Sequence, residues 1–274
     1  MTDVLRYAAF TDRPEGGNPA GVVLDAAGLT EAEMLAIAAD LGYSESAFLD
    51  GTDIRYFSPL AEVPFCGHAT IATAVALADR DGPGAIVFNT AEGAVPVNTR
   101  RDGDGRIAAT LTSVPPKVVD LDPADFDELL AALGWDRGEL DPALPPRLIY
   151  AGVWHPLIAA ATRERLADLD YDFDRLGALM AARRWTTVQL VWREAEDRFH
   201  SRNPFPPGGV VEDPATGAAA AALGAYLREE GLVTPPATIT ILQGEDLGRP
   251  GRLLVDIDAD RPGIDVTGTA VRIT

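Results

Sequence analysis

Cationic and thiol side chains are scarce in this chain. Lysine occurs once in 274 residues, as Lys117 beside Pro115-Pro116 in a stretch that reads as a linker. Schiff-base and pyridoxal chemistry need a lysine set in a pocket, so neither is expected. A single cysteine, Cys66, excludes an internal disulfide and a cysteine-rich zinc site. The three histidines, His68, His155 and His200, lie far apart with no i, i+4 pair, so nothing in their spacing proposes a metal. Lysine and arginine together number 23 against 42 acids, a formal net charge of −19. Without clustered cations, nucleic acid is not an expected partner. The same charge repels anions at long range, so an anionic ligand must be captured by local donors. The longest apolar stretches, near Ile71–Ala78 and Ala218–Leu223, fall well short of the roughly 20 residues that a bilayer requires, so no membrane partner is expected. An acid near the start, in Met1-Thr-Asp-Val-Leu-Arg, does not resemble a secretory signal, and a cytoplasmic location is expected. Gly16-Gly17-Asn18-Pro19 and Gly208-Gly209 are turn sequences outside any strand–GxGxxG–helix order, which argues against a nicotinamide enzyme.

What the chain does have is an internal echo. Glu62-Val-Pro-Phe-Cys-Gly-His-Ala-Thr-Ile-Ala and Glu212-Asp-Pro-Ala-Thr-Gly-Ala-Ala-Ala-Ala-Ala share acid, proline, glycine and alanine positions. Pro64 and Pro214, like Gly67 and Gly217, are separated by the same 150 residues. One supersecondary unit used twice is the simplest account. Each copy sets a glycine at the mouth of an apolar helix, where free backbone N–H groups and the positive end of the dipole favour an anion. Two such mouths facing each other would hold a small carboxylate on the N–H groups of His68–Ala69 and Ala218–Ala219.

Patterning along the chain gives the setting. Thr30 and Glu33 form a capping box before a helix that Gly42 ends, and Pro123 opens another that Gly134 stops. The runs 4–9, 20–24, 44–49 and 54–57 read as strands before the first central helix, which covers 68–79 and carries no polar face. The runs 85–88, 94–97 and 107–111 follow it as strands. In the second part, 148–151, 157–160 and 188–191 precede a second central helix over 218–229, with strands at 239–242, 253–257 and 270–273. The same order of elements recurs there only approximately. The expected architecture is α/β (α+β): two similar domains, 1–114 and 115–261, each a curved mixed sheet wrapped around its central helix, with a C-terminal strand near 262–274 returning to the first.

Five ordered segments carry a resemblance to a known family. Gly17-Asn18-Pro19-Ala20-Gly21-Val22-Val23, Ser44-Glu45-Ser46-Ala47-Phe48, Cys66-Gly67-His68-Ala69-Thr70, Glu212-Asp213-Pro214-Ala215-Thr216-Gly217, and Gln243-Gly244 with Gly248-Arg249 resemble the PhzF-like (phenazine biosynthesis) isomerases of diaminopimelate epimerase fold. The resemblance implies a cofactor-independent isomerase, a homodimer, with its active site between two similar halves. It matches Glu45 to the carboxyl that moves a proton, and His68 and Asp213 to further active-site positions. Asn18, Cys66, Gly67, Ala69, Thr216, Gly217, Ala218 and Ala219 are the expected substrate-binding residues. Taken residue by residue, Glu45 is equally an exposed turn glutamate, His68 a histidine capping a buried helix start, and Asp213 a capping acid. Cys66 stands where related epimerases carry one of two catalytic thiols, yet the residue 150 positions on is Thr216. Two-thiol racemisation is therefore disfavoured, and Cys66 is expected to be a small buried residue. Ala218 departs from the family, which commonly has serine there. A metabolite-binding protein without turnover is the alternative reading. Arg202 is expected in a surface salt bridge.

Overall fold

The computed structural model describes residues 2–274. Among them, seventeen strands join through ladder hydrogen bonds into one continuous system, with two helices enclosed by it. The pairing scheme occurs twice. In the first set, Leu5–Ala9 pairs antiparallel with Asn18–Val23, which runs parallel to Glu45–Asp50, itself antiparallel to Asp53–Phe57. The second set repeats this with Arg147–Tyr150, Trp154–Ala159, Gln189–Ala195 and Arg198–Phe205. Each set then adds a short antiparallel strand, Glu62–Val63 or Val210–Asp213, and turns through proline into its inner helix. Beyond the helix, the next strand runs parallel to the fourth and forms a hairpin with its successor.

The repetition is closer than the sequence suggests. Arg198–Phe205 and Val210–Asp213 have no apolar alternation to announce them. Ser201, Arg202 and Asn203 are polar yet buried, so the inward side of this strand pair reads as a loop. Lys117, expected in a linker, instead begins the strand Lys117–Asp120, which pairs with Arg147–Tyr150. The last strand, Asp265–Arg272, pairs with Leu5–Ala9, with Ile107–Thr112 and with Gly251–Ile257, and so ties the two sets together.

The inner helices are Gly67–Asp81 and Gly217–Glu229. Up to their charged last turns both are apolar on every side, the composition of a helix with no solvent face, and alanine dominates each because strands approach from several directions. The threonines of the first helix are reconciled with burial by hydrogen bonds: Thr70 and Thr73 donate to the carbonyls of Cys66 and Ala69, each at 2.7 Å. On the outside, the Thr30/Glu33 capping box starts Glu31–Leu41, and Gly42 ends it in the left-handed region. No described helix is long and apolar enough to cross a membrane.

Phe10 transmits packing from the last strand to the second inner helix. Its backbone has φ of 63°, strained for a phenylalanine, and is held by hydrogen bonds to Thr269 and Arg252 at 2.7 Å each. Its ring lies between Gly268 and Gly217; a Cβ on Gly268 would overlap the ring, and one on Gly217 would come 3.3 Å from Cζ. Replacing Gly268 with alanine must therefore push the ring toward the helix start. The expected cost is about 1–3 kcal/mol, seen as a lower urea midpoint at unchanged slope.

Candidate active site

The starts of the two inner helices meet. A Cβ built on Gly67 would lie 3.5 Å from the Cα of Gly217, so the two backbones stand about one methyl group apart. Cys66 and Thr216 occupy the N-cap positions, and neither caps its helix with a side-chain hydrogen bond. Thr216 donates its hydroxyl to Asp213 Oδ2 at 2.6 Å instead, so the N–H groups of the first turn stay uncapped. Gly67, Ala69, Gly217, Ala218 and Ala219 are thus brought together as backbone.

Behind these helix starts lies a buried polar cluster drawn from strand ends. Glu45 and Asn18 are the first residues of adjacent parallel strands, His68 is the second residue of its helix, and Asp213 closes the strand Val210–Asp213. Glu45, His68 and Asp213 are 8%, 3% and 5% exposed, so Glu45 is not a turn glutamate at the surface. The Asn18 amide is the hinge of the cluster. Its Nδ2 donates to Asp213 Oδ1 at 2.7 Å and to the Ala215 carbonyl at 3.1 Å, and it lies 3.1 Å from His68 Nδ1. The Cys66 Sγ lies 3.2 Å from the same Nδ1, so the imidazole is held on one edge by the amide and the thiol. Its Nε2 faces Glu45 Oε2 at 3.7 Å.

Burial sets the protonation states. Desolvation pulls the His68 pKa down to about 3, so the imidazole is neutral. Desolvation raises both carboxyl groups: Glu45 against hydrogen bonds from Ser44 and Cys66, and Asp213 with additional repulsion from Glu45. The Cys66 thiol is pushed well above its usual value by burial and then by Glu45, which keeps it protonated and a poor nucleophile. Glu45, Cys66 and His68 bring ligand atoms within 4.8 Å of one another.

Two residues without a sequence-assigned role hold this arrangement. Gln243 donates to the Asp213 carbonyl at 2.8 Å and accepts from the Thr216 N–H at 3.0 Å. Arg249 donates to the carbonyls of Gly16 and Gly17 at 2.9 Å, fixing the turn that leads into Asn18. Both fall in a quoted motif, but their partners lie more than 25 residues away in the chain or farther, beyond any local signal. Arg202 is corrected: it is buried, not a surface pair. Its Nε donates to Glu212 Oε2 at 3.0 Å and its Nη1 to the Ala167 carbonyl at 2.7 Å, because its strand is interior and pairs with the strand of Asp213. Alongside the helix starts runs a cavity of about 270 Å³ whose wall includes Phe65 and Ala218.

Known proteins carry the same organisation. The family model described as phenazine biosynthesis-like protein, PhzC-PhzF, matches residues 7–274. An uncharacterized isomerase of Bacillus subtilis, YfhB, is 32% identical over 285 residues, covering 98% of this chain and 96% of that protein. The trans-2,3-dihydro-3-hydroxyanthranilate isomerase of Pseudomonas fluorescens is 31% identical over 282 residues, covering 99% and 97%. Among solved structures, a Bacillus anthracis phenazine biosynthesis protein of the PhzF family superposes with a TM-score of 0.88 at 27% identity, over 100% of this chain and 97% of that one. A hydroxyproline epimerase from Agrobacterium vitis, at 15% identity and a TM-score of 0.63 over 99% and 90% of the chains, shares the sheet-dominated α/β fold. With one family model spanning nearly its whole length and isomerases aligned to it end to end, this chain belongs to the PhzC-PhzF family of phenazine biosynthesis-like proteins and is an isomerase.

Proposed function

We propose that this isomerase moves a proton on a small carboxylate-bearing metabolite by carboxyl acid/base catalysis, without a cofactor. The observation that carries the reading is the dry cluster of Glu45, His68 and Asp213 directly behind two adjacent uncapped helix starts. Two acids that are both disfavoured as anions and repel each other retain a proton between them at neutral pH. One carboxyl is then a base while the other is an acid, which a proton-transfer isomerase requires.

In this mechanism Glu45 takes a proton from substrate carbon and returns it elsewhere on the molecule. Neutral His68 presents Nε2 toward Glu45 and positions the substrate, and Asp213 supplies the auxiliary acid. The N–H groups at His68–Ala69 and Ala218–Ala219 bind the substrate carboxylate at the positive ends of both helix dipoles. Local donors of this kind are what a chain of net charge −19 needs to capture an anion. Asn18, Thr216 and Cys66 hold the groups in place. The protein would work as a cytoplasmic homodimer with neither nucleic-acid nor membrane partners.

A thermal-shift screen of metabolites identifies a ligand, and NMR then follows deuterium entering it from heavy water. Glu45→Gln is expected to bind that ligand normally while losing exchange by about 10²–10⁴-fold; undiminished exchange removes Glu45 from the role. Cys66→Ser should keep exchange, since the thiol takes no proton in this scheme.

Stability should respond to pH with opposite signs at two positions. Asp213 holds its proton in the folded chain above the ordinary carboxylate range, so its contribution is present at low pH and lost as pH rises through the folded value. His68 accepts a proton only when unfolded between about pH 6.5 and 3, so stability is lost as pH falls through that window. Relative to wild type, Asp213→Asn should therefore gain stability as pH rises above 4, and His68→Gln should gain as pH falls below 6.5. Each slope is at most about 1.4 kcal/mol per pH unit, measurable by urea unfolding across a pH series.

A further inference from the structure

We infer that the substrate is a monocarboxylate whose remaining body is apolar and uncharged, seated in the 270 Å³ cavity beside the helix starts. This rests on the reading above, in which those starts hold the carboxylate. Ala218, whose N–H is one of the anchoring donors, stands in the cavity wall, as does Phe65 two residues before Gly67. A molecule anchored at the helix starts therefore extends into this space.

The chemistry of the wall defines the body. Phe65, Val95, Leu111 and Val114 line it from the first set of strands, and Ala221 joins Ala218 from the second inner helix. Val114 is 38% exposed, an apolar side chain left for a ligand to cover. The hydroxyls present are already committed: Thr112 donates to Asp265 at 2.6 Å, while Ser113 donates to the Val114 carbonyl at 2.9 Å and accepts from the Ile264 N–H at 3.0 Å. Neither lysine nor arginine lines the cavity. Its one ionisable side chain is Glu92, exposed and without an ion pair among the described residues. With both hydroxyl hydrogens already donated, the wall offers a hydroxylated body no side-chain hydroxyl donor, and a second carboxylate meets like charge at Glu92 with no cation to compensate it. Selection against dicarboxylates is thus built into the wall, not into the helix starts.

The test titrates the whole chain with three probes and follows backbone amides by NMR. Acetate, which reaches only the helix starts, should shift the amides of His68, Ala69, Ala218 and Ala219. Cyclohexanecarboxylate should bind at least tenfold tighter than acetate, and trans-cyclohexane-1,4-dicarboxylate at least tenfold more weakly than the monoacid, with Glu92→Gln recovering part of that loss. Ala221→Leu and Ala94→Phe each fill the space and should abolish the advantage of the ring while leaving acetate unchanged. Ala94 is an exposed wall residue on a hairpin, so its variant carries the test should the buried Ala221 substitution fail to fold. Equal binding of the mono- and dicarboxylate, or ring binding indifferent to a filled cavity, overturns the inference while acetate shifts still uphold the carboxylate anchor. Absent acetate shifts at those amides overturn the anchor itself.

Discussion

The structure depends on two helix starts meeting backbone to backbone. Gly67 and Gly217 have no side chain between them, so two positive dipole ends stand about one methyl group apart. Such a meeting is unfavourable unless negative charge or hydrogen-bond acceptors answer it. The cluster of Glu45 and Asp213 beside the starts is one answer, and the carboxylate of the proposed substrate would be another. The hydroxyl of Thr216 is turned away from its own helix start to Asp213.

Burying two acids and an imidazole is costly unless each finds a partner. Asn18 limits that cost by donating to Asp213 while it occupies Nδ1 of His68. Gln243 braces the strand end of Asp213 and Arg249 braces the turn before Asn18, each across a long separation in sequence. The Arg202–Glu212 pair buttresses the same strand from inside the sheet. Chemistry and architecture share these residues. The site exists only where the two sets of strands are joined, and the last strand joins them.

Most of the fold was legible because its signals are local. Capping boxes, glycine stops and all-round apolar helices mark their own positions, and the 150-residue echo announced a repeated unit. The strands Arg198–Phe205 and Val210–Asp213 were not legible, since a polar strand that is satisfied by its neighbours looks like a loop until those neighbours are known. Arg202 misled for that reason: an arginine beside prolines implies surface, whereas its actual partners, Glu212 and the Ala167 carbonyl, come from separate elements.

For the site, sequence alone determined which residue types stand at each helix mouth, because glycine, proline and cap positions act over a few residues. It also ruled out a second thiol, since a residue that is absent cannot be supplied by folding. Only tertiary structure decided that Glu45 is buried, that the His68 imidazole is neutral, and that the cavity wall is mostly apolar. Burial and hydrogen-bond partnership are properties of groups brought together from distant parts of the chain, and no local pattern encodes the distance between them.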